Sequence, residues 1–561
     1  MKNPEYNLLD EPWIPVRLLD GSVTEVGLLE LLRRTTDIAD LACELPTQSI
    51  AIQRLILAVA YRVATPRDMH DWARQWDQGA PTDQMIEYLE RWRDRFFLFG
   101  GEYPFMQVAD IKTAKDEAKP LSVIIANLPK EEKRLFSSRS GAGADWMSAA
   151  EAARWLVHVQ NYDSSGIRSG AEGDPKAPAG RGSPIGPAWC AQLGIVWIKG
   201  NDLDETIVLN LIPSDSGRLE GGDNSSDWGA CTWERADPWT ANRDDYSVVG
   251  KKGTTKAESL SIPKLMTWQS RRVRLFGDSA GVTKVLVCQG DKLTSHNMFR
   301  YEPQSMWRYD SGASKKSVDV YKAFNFTADR AMWRNLPGVF CPQVKVKVGG
   351  GREVDRVLQP ATLTFHHSLQ LNRVKTRYPV RLRLQAVGMI FVSKEKTDYK
   401  AVYFDELTLF SILLSEKSDK LVAEIKDQVM KTEEVANLIG RYARDIARAA
   451  GGIGDVDAER ARQQFYAAVD IQFRSWLSGI DGHEKIPEIR KSWEDVLRKT
   501  TRMFQKEIGD AAPQSSIIGR YVGKIGGKNV DRYLSLGIAE NSFRHGLLKL
   551  LPAVDSWEGV K

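Results

Sequence analysis

Near its beginning the chain reads Asn7-Leu8-Leu9-Asp10-Glu11-Pro12-Trp13-Ile14-Pro15-Val16-Arg17. Apolar and polar side chains mix along this stretch, and a turn signal, Asp20-Gly21, follows it. The pattern is typical of short strands joined by turns rather than of a helix. We therefore predict that the fold begins with β structure.

Helices are predicted on the C-terminal side of this stretch. Thr47 can cap a helix, and after it apolar residues recur at steps of three and four. This spacing predicts a helix that is buried on one side. Its apolar positions are Ile52, Leu55, Ile56, Val59 and Val63. Further helices are predicted over residues 82–95 and 149–159.

The middle of the chain is poorer in regular patterns. Residues 109–143 are rich in lysine, glutamate, serine and glycine, which predicts mostly loop. Residues 163–187 are packed with glycine, serine and proline, so this segment is the least able to fold. A strand pair is predicted next, over residues 193–199 and 206–212, with a turn at Gly200-Asn201-Asp202. The strand-like runs beyond residue 217 do not define a topology.

After Phe404 the sequence reads as helices separated by short glycine and proline loops. Three apolar stripes have helical spacing: Leu421, Ile425, Val435, Ile439, Tyr442 and Ile446; Phe465, Val469, Phe473, Trp476 and Ile480; Trp493, Leu497, Phe504 and Ile508. Together with helical regions at 407–415 and 530–551, they predict a four-helix bundle. The predicted fold class is α+β, with a large mixed N-terminal domain (1–403) followed by a C-terminal four-helix bundle (404–561).

Composition excludes several classes of protein. A length of 561 residues exceeds what one hydrophobic core usually organises. Mean hydropathy is −0.37, and no apolar run approaches the roughly 18 residues of a membrane-spanning helix. The first ten residues lack the apolar stretch of a signal peptide, so we expect a cytoplasmic protein. A net charge of +5 is small, so any DNA binding must use local basic patches.

Catalytic and metal-binding motifs are missing from the sequence. The five cysteines are far apart, with no CxxC, which is typical of reduced cytosolic thiols. His366 and His367, read as neighbours in a strand, would point to opposite faces. Residues 523–529 resemble a phosphate loop but lack its hydroxyl residue, and we interpret them as a turn between helices. We therefore predict no catalytic centre, no metal and no cofactor.

Features that suit nucleic acid are better represented. Glycines in residues 163–186 allow backbone to approach a partner closely, and Arg168, Lys176 and Arg181 add positive charge. A slim segment of this kind fits a minor groove about 6 Å wide. The alternative, which composition alone favours, is a mobile surface loop.

The C-terminal helices also carry basic residues at helical spacing. They form two trios, Arg441, Arg444 and Arg448, and Arg498, Arg502 and Lys506. Each trio could follow the phosphates of a nucleic acid. A solvated helix face is the simpler alternative for both.

Two phrases of the sequence resemble a known family. Residues 7–17 are similar to the opening of the type I-E Cascade large subunit, the CasA family, and Pro104-Phe105-Met106-Gln107 resembles that family's PFMQ motif. The C-terminal bundle resembles the family's tail. The resemblance implies a CRISPR subunit that reads the PAM of invading double-stranded DNA, helps R-loop formation and recruits a separate helicase-nuclease for antiviral defence. In such systems the guide RNA reads the rest of the target.

The resemblance also implies particular site residues. The family's glycine loop corresponds to Gly166-Ile167-Arg168-Ser169-Gly170, placed by the preceding Gln160-Asn161, and its strand-separating wedge to Lys394-Glu395-Lys396-Thr397. Other implied positions are Arg134, Phe136 and Arg139 at the 5′ handle of the guide RNA, Arg300 beside the PAM, and Lys315 and Lys316 at phosphates. The paired cysteines that hold a metal in some relatives have no counterpart here, so no zinc is expected.

The principal hypothesis is a non-catalytic DNA-recognition subunit whose partners are PAM-bearing duplex, guide RNA, other Cascade subunits and the helicase-nuclease. A DNA-processing enzyme with an unrecognised active site is the alternative. A scaffold that binds only protein is a third reading. DNA cleavage with a divalent metal would favour the second, and no contribution to DNA affinity would favour the third.

Overall fold

The computed structural model describes most of the chain. The described residues are 3, 5–115, 118–128, 145–177, 182–214, 216, 219, 229–235, 260–314, 318–336, 345–348, 351–371, 381–392, 396–414, 418–525 and 528–552. The chain forms two compact units: unit 1 comprises Met1–Ala328 and Pro342–Glu406, and unit 2 comprises Asp329–Cys341 and Leu407–Lys561. The predicted α+β class is confirmed, because unit 1 mixes helices with several small sheets and unit 2 is mainly helical.

The β start is confirmed at residues 7–17. Strand β2 lies between β3 and β4 in an antiparallel sheet, while β1 pairs with β5. Leu8, Leu9, Trp13, Ile14 and Val16 are fully buried, and the Trp13 indole donates to the Leu8 carbonyl at 2.9 Å. These strands are β1 (Glu5–Asn7), β2 (Ile14–Leu18), β3 (Val23–Val26), β4 (Ile38–Leu41) and β5 (Phe97–Phe99).

The central helix of unit 1 is more buried than its sequence suggests. Helix α2 packs against four helices, so it is enclosed on nearly all faces rather than on one. Thr47 is not its cap: Leu45 is, and the Thr47 hydroxyl bonds the buried His158 ring at 3.0 Å. The helices of unit 1 are α1 (Leu28–Arg33), α2 (Pro46–Ala64), α3 (Met69–Gln78), α4 (Thr82–Arg91), α5 (Ala149–Tyr162), α6 (Leu203–Asn210), α7 (Ile262–Met266) and α8 (Ala361–Leu371).

The remaining strands of unit 1 form short sheets. Strand β8 pairs with β16, which is followed in the same sheet by β17, and β9 pairs with β10. The strands are β6 (Gly166–Arg168), β7 (Ser183–Ile185), β8 (Gly194–Lys199), β9 (Arg271–Asp278), β10 (Gly281–Gln289), β11 (Trp307–Tyr309), β12 (Tyr321–Ala323), β13 (Lys345–Lys347), β14 (Glu353–Asp355), β15 (Val357–Leu358), β16 (Arg381–Phe391) and β17 (Tyr399–Phe410).

The predicted strand over residues 206–212 is wrong. Residues Leu203–Asn210 form α6, because the Asp202 carboxylate caps its first turn by accepting from the Glu205 N–H at 2.8 Å. The expected partner of β8 is therefore replaced by β16, from far along the chain. His366 and His367 likewise lie on helix α8, not in a strand.

Unit 2 contains four long helices and a short one among its described residues. They are α9 (Asp419–Ala450), α10 (Asp455–Ser478), α11 (Ile486–Asp510), α12 (Gln514–Ile518) and α13 (Leu536–Leu550). The apolar stripes meet in its core, where the Trp493 indole donates to the Thr432 hydroxyl at 3.0 Å and packs edge-on against Phe473. Among the helices that the structure describes, none is both long and apolar enough to cross a membrane.

Three predictions in this half are corrected. Residues 407–410 belong to β17 and Ser411–Leu414 to a 3-10 turn, so no leading helix forms there. Residues 530–534 and most of 523–529 lie in an antiparallel strand pair, β18 (Arg520–Ile525) and β19 (Lys528–Leu534). Tyrosine and valine on these strands favour extended structure over a helix or a turn.

Candidate nucleic-acid interface

The segment that corresponds to the glycine loop is an ordered ribbon. Strands β6 and β7 pair antiparallel, with Gly166 opposite Ile185, and we call this pair the glycine ribbon. The main chain of Ser169 continues it, because its carbonyl accepts from the Gln289 N–H at 3.1 Å. The described part of residues 163–187 thus contains a paired strand element that composition did not predict.

Glycine is required at one position of the ribbon. A Cβ at Gly182 would lie 2.9 Å from the Ile167 Cγ2 and 3.0 Å from the Arg168 carbonyl oxygen, closer than side chains pack. At Gly166 the nearest atom would be the Arg168 Nη1 at 3.3 Å. Gly182 thus permits the close approach of the two strands, while Gly170 continues the chain beyond Ser169.

A buried ion-pair cluster lies under the glycine ribbon. The Arg168 guanidinium donates to both oxygens of the Asp163 carboxylate, from Nη2 to Oδ1 at 2.7 Å and from Nε to Oδ2 at 3.2 Å. The Arg271 Nε donates to the same carboxylate. Arg271 also donates to the carbonyls of Ser164 and Gly186, each at 3.0 Å. Burial alone would raise the pKa of Asp163, but the two guanidiniums lower it below its usual value.

This cluster changes the interpretation of Arg168. Its charge is already paired inside the protein, so Arg168 holds the ribbon in position rather than offering a free cation. Among the described side chains of the ribbon, Ile167 is 70% exposed, and Pro184, directly opposite it, is exposed as well. Sequence reasoning missed Arg271 because a charged residue flanked by Arg272 is ordinarily expected at the surface.

Gln160, which placed the glycine loop in the sequence, and the PFMQ motif both hold the strand beside the ribbon through hydrogen bonds. The Gln160 amide donates to the carbonyls of Met106 and Arg271, at 3.1 and 3.0 Å, and accepts from the Arg271 N–H. The Gln107 amide bridges the Leu98 carbonyl and the Leu275 N–H. Gln160 and the PFMQ motif therefore fix the strand that carries Arg271.

One half of the wedge segment is described, and it is bonded to the residue that precedes the glycine ribbon. The Ser165 N–H donates to the Lys396 carbonyl at 2.8 Å. The Lys396 ammonium donates to the Ala191 carbonyl at 3.2 Å and to the Asn325 Oδ1 at 3.1 Å. Burial lowers the pKa of Lys396 to about 8. Thr397 follows, with its hydroxyl bonded to Asp398, while Lys394 and Glu395 lie outside the described residues.

Of the other implied contact residues, the structure describes Arg300. Arg300 lies in the 3-10 turn Met298–Arg300, which packs on β12, and its guanidinium stands 5.7 Å from the Phe299 ring centre. The positions implied at phosphates and at the guide-RNA handle lie outside the described residues: Lys315, Lys316, Arg134, Phe136 and Arg139.

The basic trios of unit 2 are partly neutralised. Arg444 and Arg448 pair with Asp455, at 3.1 and 3.7 Å, whereas Arg441 is exposed. Arg498 is held by Glu494 and Asp495, at 2.9 and 2.8 Å. Arg502 and Lys506, one helical turn apart, are exposed. Exposed cations of the trios are therefore Arg441, Arg502 and Lys506.

Within the part of the chain that the structure describes, no group of three or more histidine, cysteine, aspartate or glutamate side chains could hold a metal ion. The described cysteines are free thiols: Cys43, Cys190, Cys231 and Cys288. The absence of metal, cofactor and catalytic centre stays a prediction.

Proteins with the same architecture come from CRISPR systems. The structure of Thermobifida fusca Cse1 is 30% identical to this chain, covers 98% of each chain and superposes with a TM-score of 0.84. That of Acidimicrobium ferrooxidans Cse1 is 24% identical, covers 98% of this chain and 99% of its own, and has a TM-score of 0.79. The fold is thus that of a CRISPR-associated protein.

Sequence comparison narrows this class to one family. The model of the family described as CRISPR-associated protein Cse1 matches residues 7–504. The CasA/Cse1 protein of Thermus thermophilus is 26% identical over 555 residues, covering 93% of this chain and 98% of that protein. The chain belongs to the Cse1 (CasA) family, the large subunit of Cascade, which confirms the resemblance seen in residues 7–17.

Proposed function

We propose that this Cse1 family member is the DNA-recognition subunit of its Cascade, and that it reads the PAM of invading duplex through the glycine ribbon. Its partners would be the other Cascade subunits, the guide RNA and PAM-bearing DNA. A more distant structural match, 15% identical with a TM-score of 0.62 over 90% of this chain, comes from a CRISPR RNA-guided surveillance complex. That match supports the fold.

The observation that carries the proposal is an exposed apolar side chain on the narrow, two-stranded glycine ribbon. Ile167 is exposed on a two-stranded ribbon whose base is fixed by Asp163, Arg168 and Arg271. Apolar side chains that enter a minor groove partly unstack base steps, which favours opening of the duplex. A ribbon built before binding avoids the entropy of ordering a loop.

The hydrogen bond between Ser165 and Lys396 supports a structural link between the segment that we propose reads the PAM and the segment that we propose opens the duplex. Because the wedge segment is bonded to the glycine ribbon, DNA that engages one meets the other. We propose that the wedge, Lys394 to Thr397, separates the strands beside the PAM. Arg300, Lys315 and Lys316 would contact phosphates there, and the exposed cations of the bundle would follow the duplex.

Two further roles belong to the same proposal. Arg134, Phe136 and Arg139 would attach the subunit to the guide RNA's 5′ handle, and the subunit would recruit a helicase-nuclease once the target is bound. The protein itself would be non-catalytic. Purified protein incubated with duplex DNA and magnesium or manganese should leave the DNA intact, whereas specific cleavage would favour a DNA-processing enzyme.

The central experiment replaces Ile167 by aspartate in reconstituted Cascade. The change adds a negative charge at an exposed position, so it should spare folding but repel the groove. Preference for PAM-bearing over PAM-free duplex in gel-shift titrations should fall at least about tenfold, the effect of roughly 1.4 kcal/mol. Leu19→Asp, at an exposed leucine of unit 1, is the matched control. An unchanged preference with Ile167→Asp would contradict the proposal.

A further inference from the structure

Lys396, in the wedge segment, combines two unusual features. Its main chain has a φ of +56°, in the left-handed region that residues other than glycine rarely adopt. Its ammonium lies against the protein and donates to the Ala191 carbonyl and to the Asn325 Oδ1, at 3.2 and 3.1 Å, and we call this the resting position of Lys396. Strained main-chain conformations persist where surrounding contacts hold them, and they are common in segments that change state.

The groups that hold the Lys396 ammonium are neutral. Both acceptors are uncharged oxygens, and the centre of the Phe391 ring lies 5.8 Å away. No carboxylate of the described residues forms an ion pair with this ammonium, and burial lowers its pKa to about 8. A phosphate offers direct charge attraction, which a neutral oxygen cannot. A phosphate within reach would therefore compete well for the ammonium.

The side chain can leave the resting position while the main chain stays in place. The Lys396 carbonyl accepts from the Ser165 N–H at 2.8 Å, and the Val392 N–H donates to the Asp398 carbonyl at 2.9 Å. These bonds fix the turn beside the glycine ribbon, whereas the lysine stem is a flexible four-carbon chain. Because Ser165 directly precedes the ribbon, a duplex bound there brings its phosphates close to Lys396.

We propose that Asn325 and Ala191 hold Lys396 in its resting position in the free subunit, and that the ammonium transfers to a phosphate of the duplex when DNA binds. The inference rests on the proposed function, since it names a further DNA contact beside the glycine ribbon. Asn325 is then a positioning residue. Transfer must break two hydrogen bonds, so the strength of the resting position sets how much of the phosphate contact appears as affinity.

Two substitutions of Asn325 should change duplex affinity in opposite directions. Asn325→Leu removes one acceptor from the resting position, so the affinity of reconstituted Cascade for PAM-bearing duplex should rise about threefold. Asn325→Asp supplies a carboxylate that holds the ammonium, so the affinity should fall about tenfold. Gel-shift titrations at constant ionic strength measure both. A general loss of folding would weaken binding in both variants.

Thr327→Asp is the matched control, because position 327 is exposed and lies two residues from Asn325. It measures the general repulsion between DNA and an added carboxylate, and its loss of affinity should stay within about twofold. In a Lys396→Met background, Asn325→Leu should have no effect, and Asn325→Asp should cost no more than the control.

A second measurement follows the resting position in the absence of DNA. Asn325→Asp should raise the melting temperature of the full chain by about 1 to 2 °C, because the new carboxylate pairs with Lys396. The same substitution in the Lys396→Met background should give no rise, since the carboxylate then lacks its partner. This result does not depend on DNA binding, so it is separate from the test of the proposed function.

Three outcomes would overturn the inference: affinity changes of the same sign for the two Asn325 variants, opposite changes that persist in the Lys396→Met background, or a melting-temperature shift that is equal in both backgrounds. Failure of the proposed function gives a different result. In that case Ile167→Asp leaves PAM preference unchanged, while opposite affinity changes at Asn325 that require Lys396 still support transfer of its ammonium to a phosphate.

Discussion

Asp163 is the residue on which the proposed reading surface depends. Two arginines converge on its carboxylate, and one of them, Arg271, also holds the main chain at Ser164 and Gly186. Breaking a buried ion pair costs more than the pair itself contributes, because the remaining charge stays buried without its partner. The cluster therefore gives the short glycine ribbon a rigidity that three-residue strands do not have alone.

Asp163→Asn should destabilise unit 1. The amide keeps the shape of the carboxylate but leaves Arg271 buried opposite a neutral group, so we expect a loss of roughly 3 to 5 kcal/mol in the free energy of unfolding. Denaturant titration of the full chain, followed by tryptophan fluorescence, measures it. Glu102→Gln, at an exposed carboxylate, should change nothing. A loss below about 1 kcal/mol would show that the cluster is not a stabilising one.

Lys396 predicts a pH dependence of target binding. Burial lowers the pKa of its ammonium to about 8, so the free protein loses this charge as pH rises through that value. DNA phosphates favour the charged form, so affinity of reconstituted Cascade for PAM-bearing duplex should be highest below about pH 7 and decline towards about pH 9.

The comparison that isolates this residue is Lys396→Met. Its affinity should be lower at neutral pH and flat over the same interval, measured at constant ionic strength. If the variant kept the wild-type pH profile, the decline would belong to another group.

At the scale of elements, the sequence predicted those helices and strands whose apolar spacing reflects the burial of one face. The bundle helices and the strand at Ile14 follow from their apolar spacing, because each element buries one face against its own unit. The partner of β8 could not be predicted, since β16 is distant in sequence and the Asp202 cap turned the expected partner into helix α6. The glycine ribbon was missed as structure because side-chain charges buried elsewhere, at Asp163 and Arg271, stabilise it.

Substitution of Gly182 tests whether the close pairing of the two strands in the glycine ribbon matters for recognition. Gly182→Ala places a methyl group against Ile167 and the Arg168 carbonyl, so the strands must separate and PAM preference should fall several-fold. Gly186→Ala is the matched control, because no atom lies within 4 Å of a Cβ there. Equal gel-shift titrations for both variants would mean that the pairing of the strands does not matter for recognition.

At the scale of the whole molecule, unit 2 is assembled from two separate parts of the chain. The segment Asp329–Cys341 joins the C-terminal helices: the Trp333 indole donates to Asp470 at 2.7 Å and stacks on Phe473, and Arg334 binds Glu433 with both edges, at 2.7 and 3.1 Å. Sequence reasoning saw only the change of character near Phe404, because a short irregular segment has no periodicity that assigns it to a bundle.

Trp333→Ala should weaken unit 2 selectively. Removal of a fully buried tryptophan leaves a cavity that costs about 3 to 5 kcal/mol. Hydrogen exchange followed by mass spectrometry should show faster exchange in α10 and α11, with α2 unchanged. Trp146→Ala, at a half-exposed tryptophan of unit 1, should leave unit 2 protected. A uniform loss of protection in both units would show that they unfold together.

The bond from Ser165 to Lys396 joins main chain to main chain, and this decides which substitutions can break it. Neither side chain takes part in it, so substitutions that keep the main chain in place leave this donor and acceptor unchanged. Proline at position 165 is the one substitution that deletes the donor outright. The connection between the two segments therefore depends on the position of the main chain and not on the identity of either side chain.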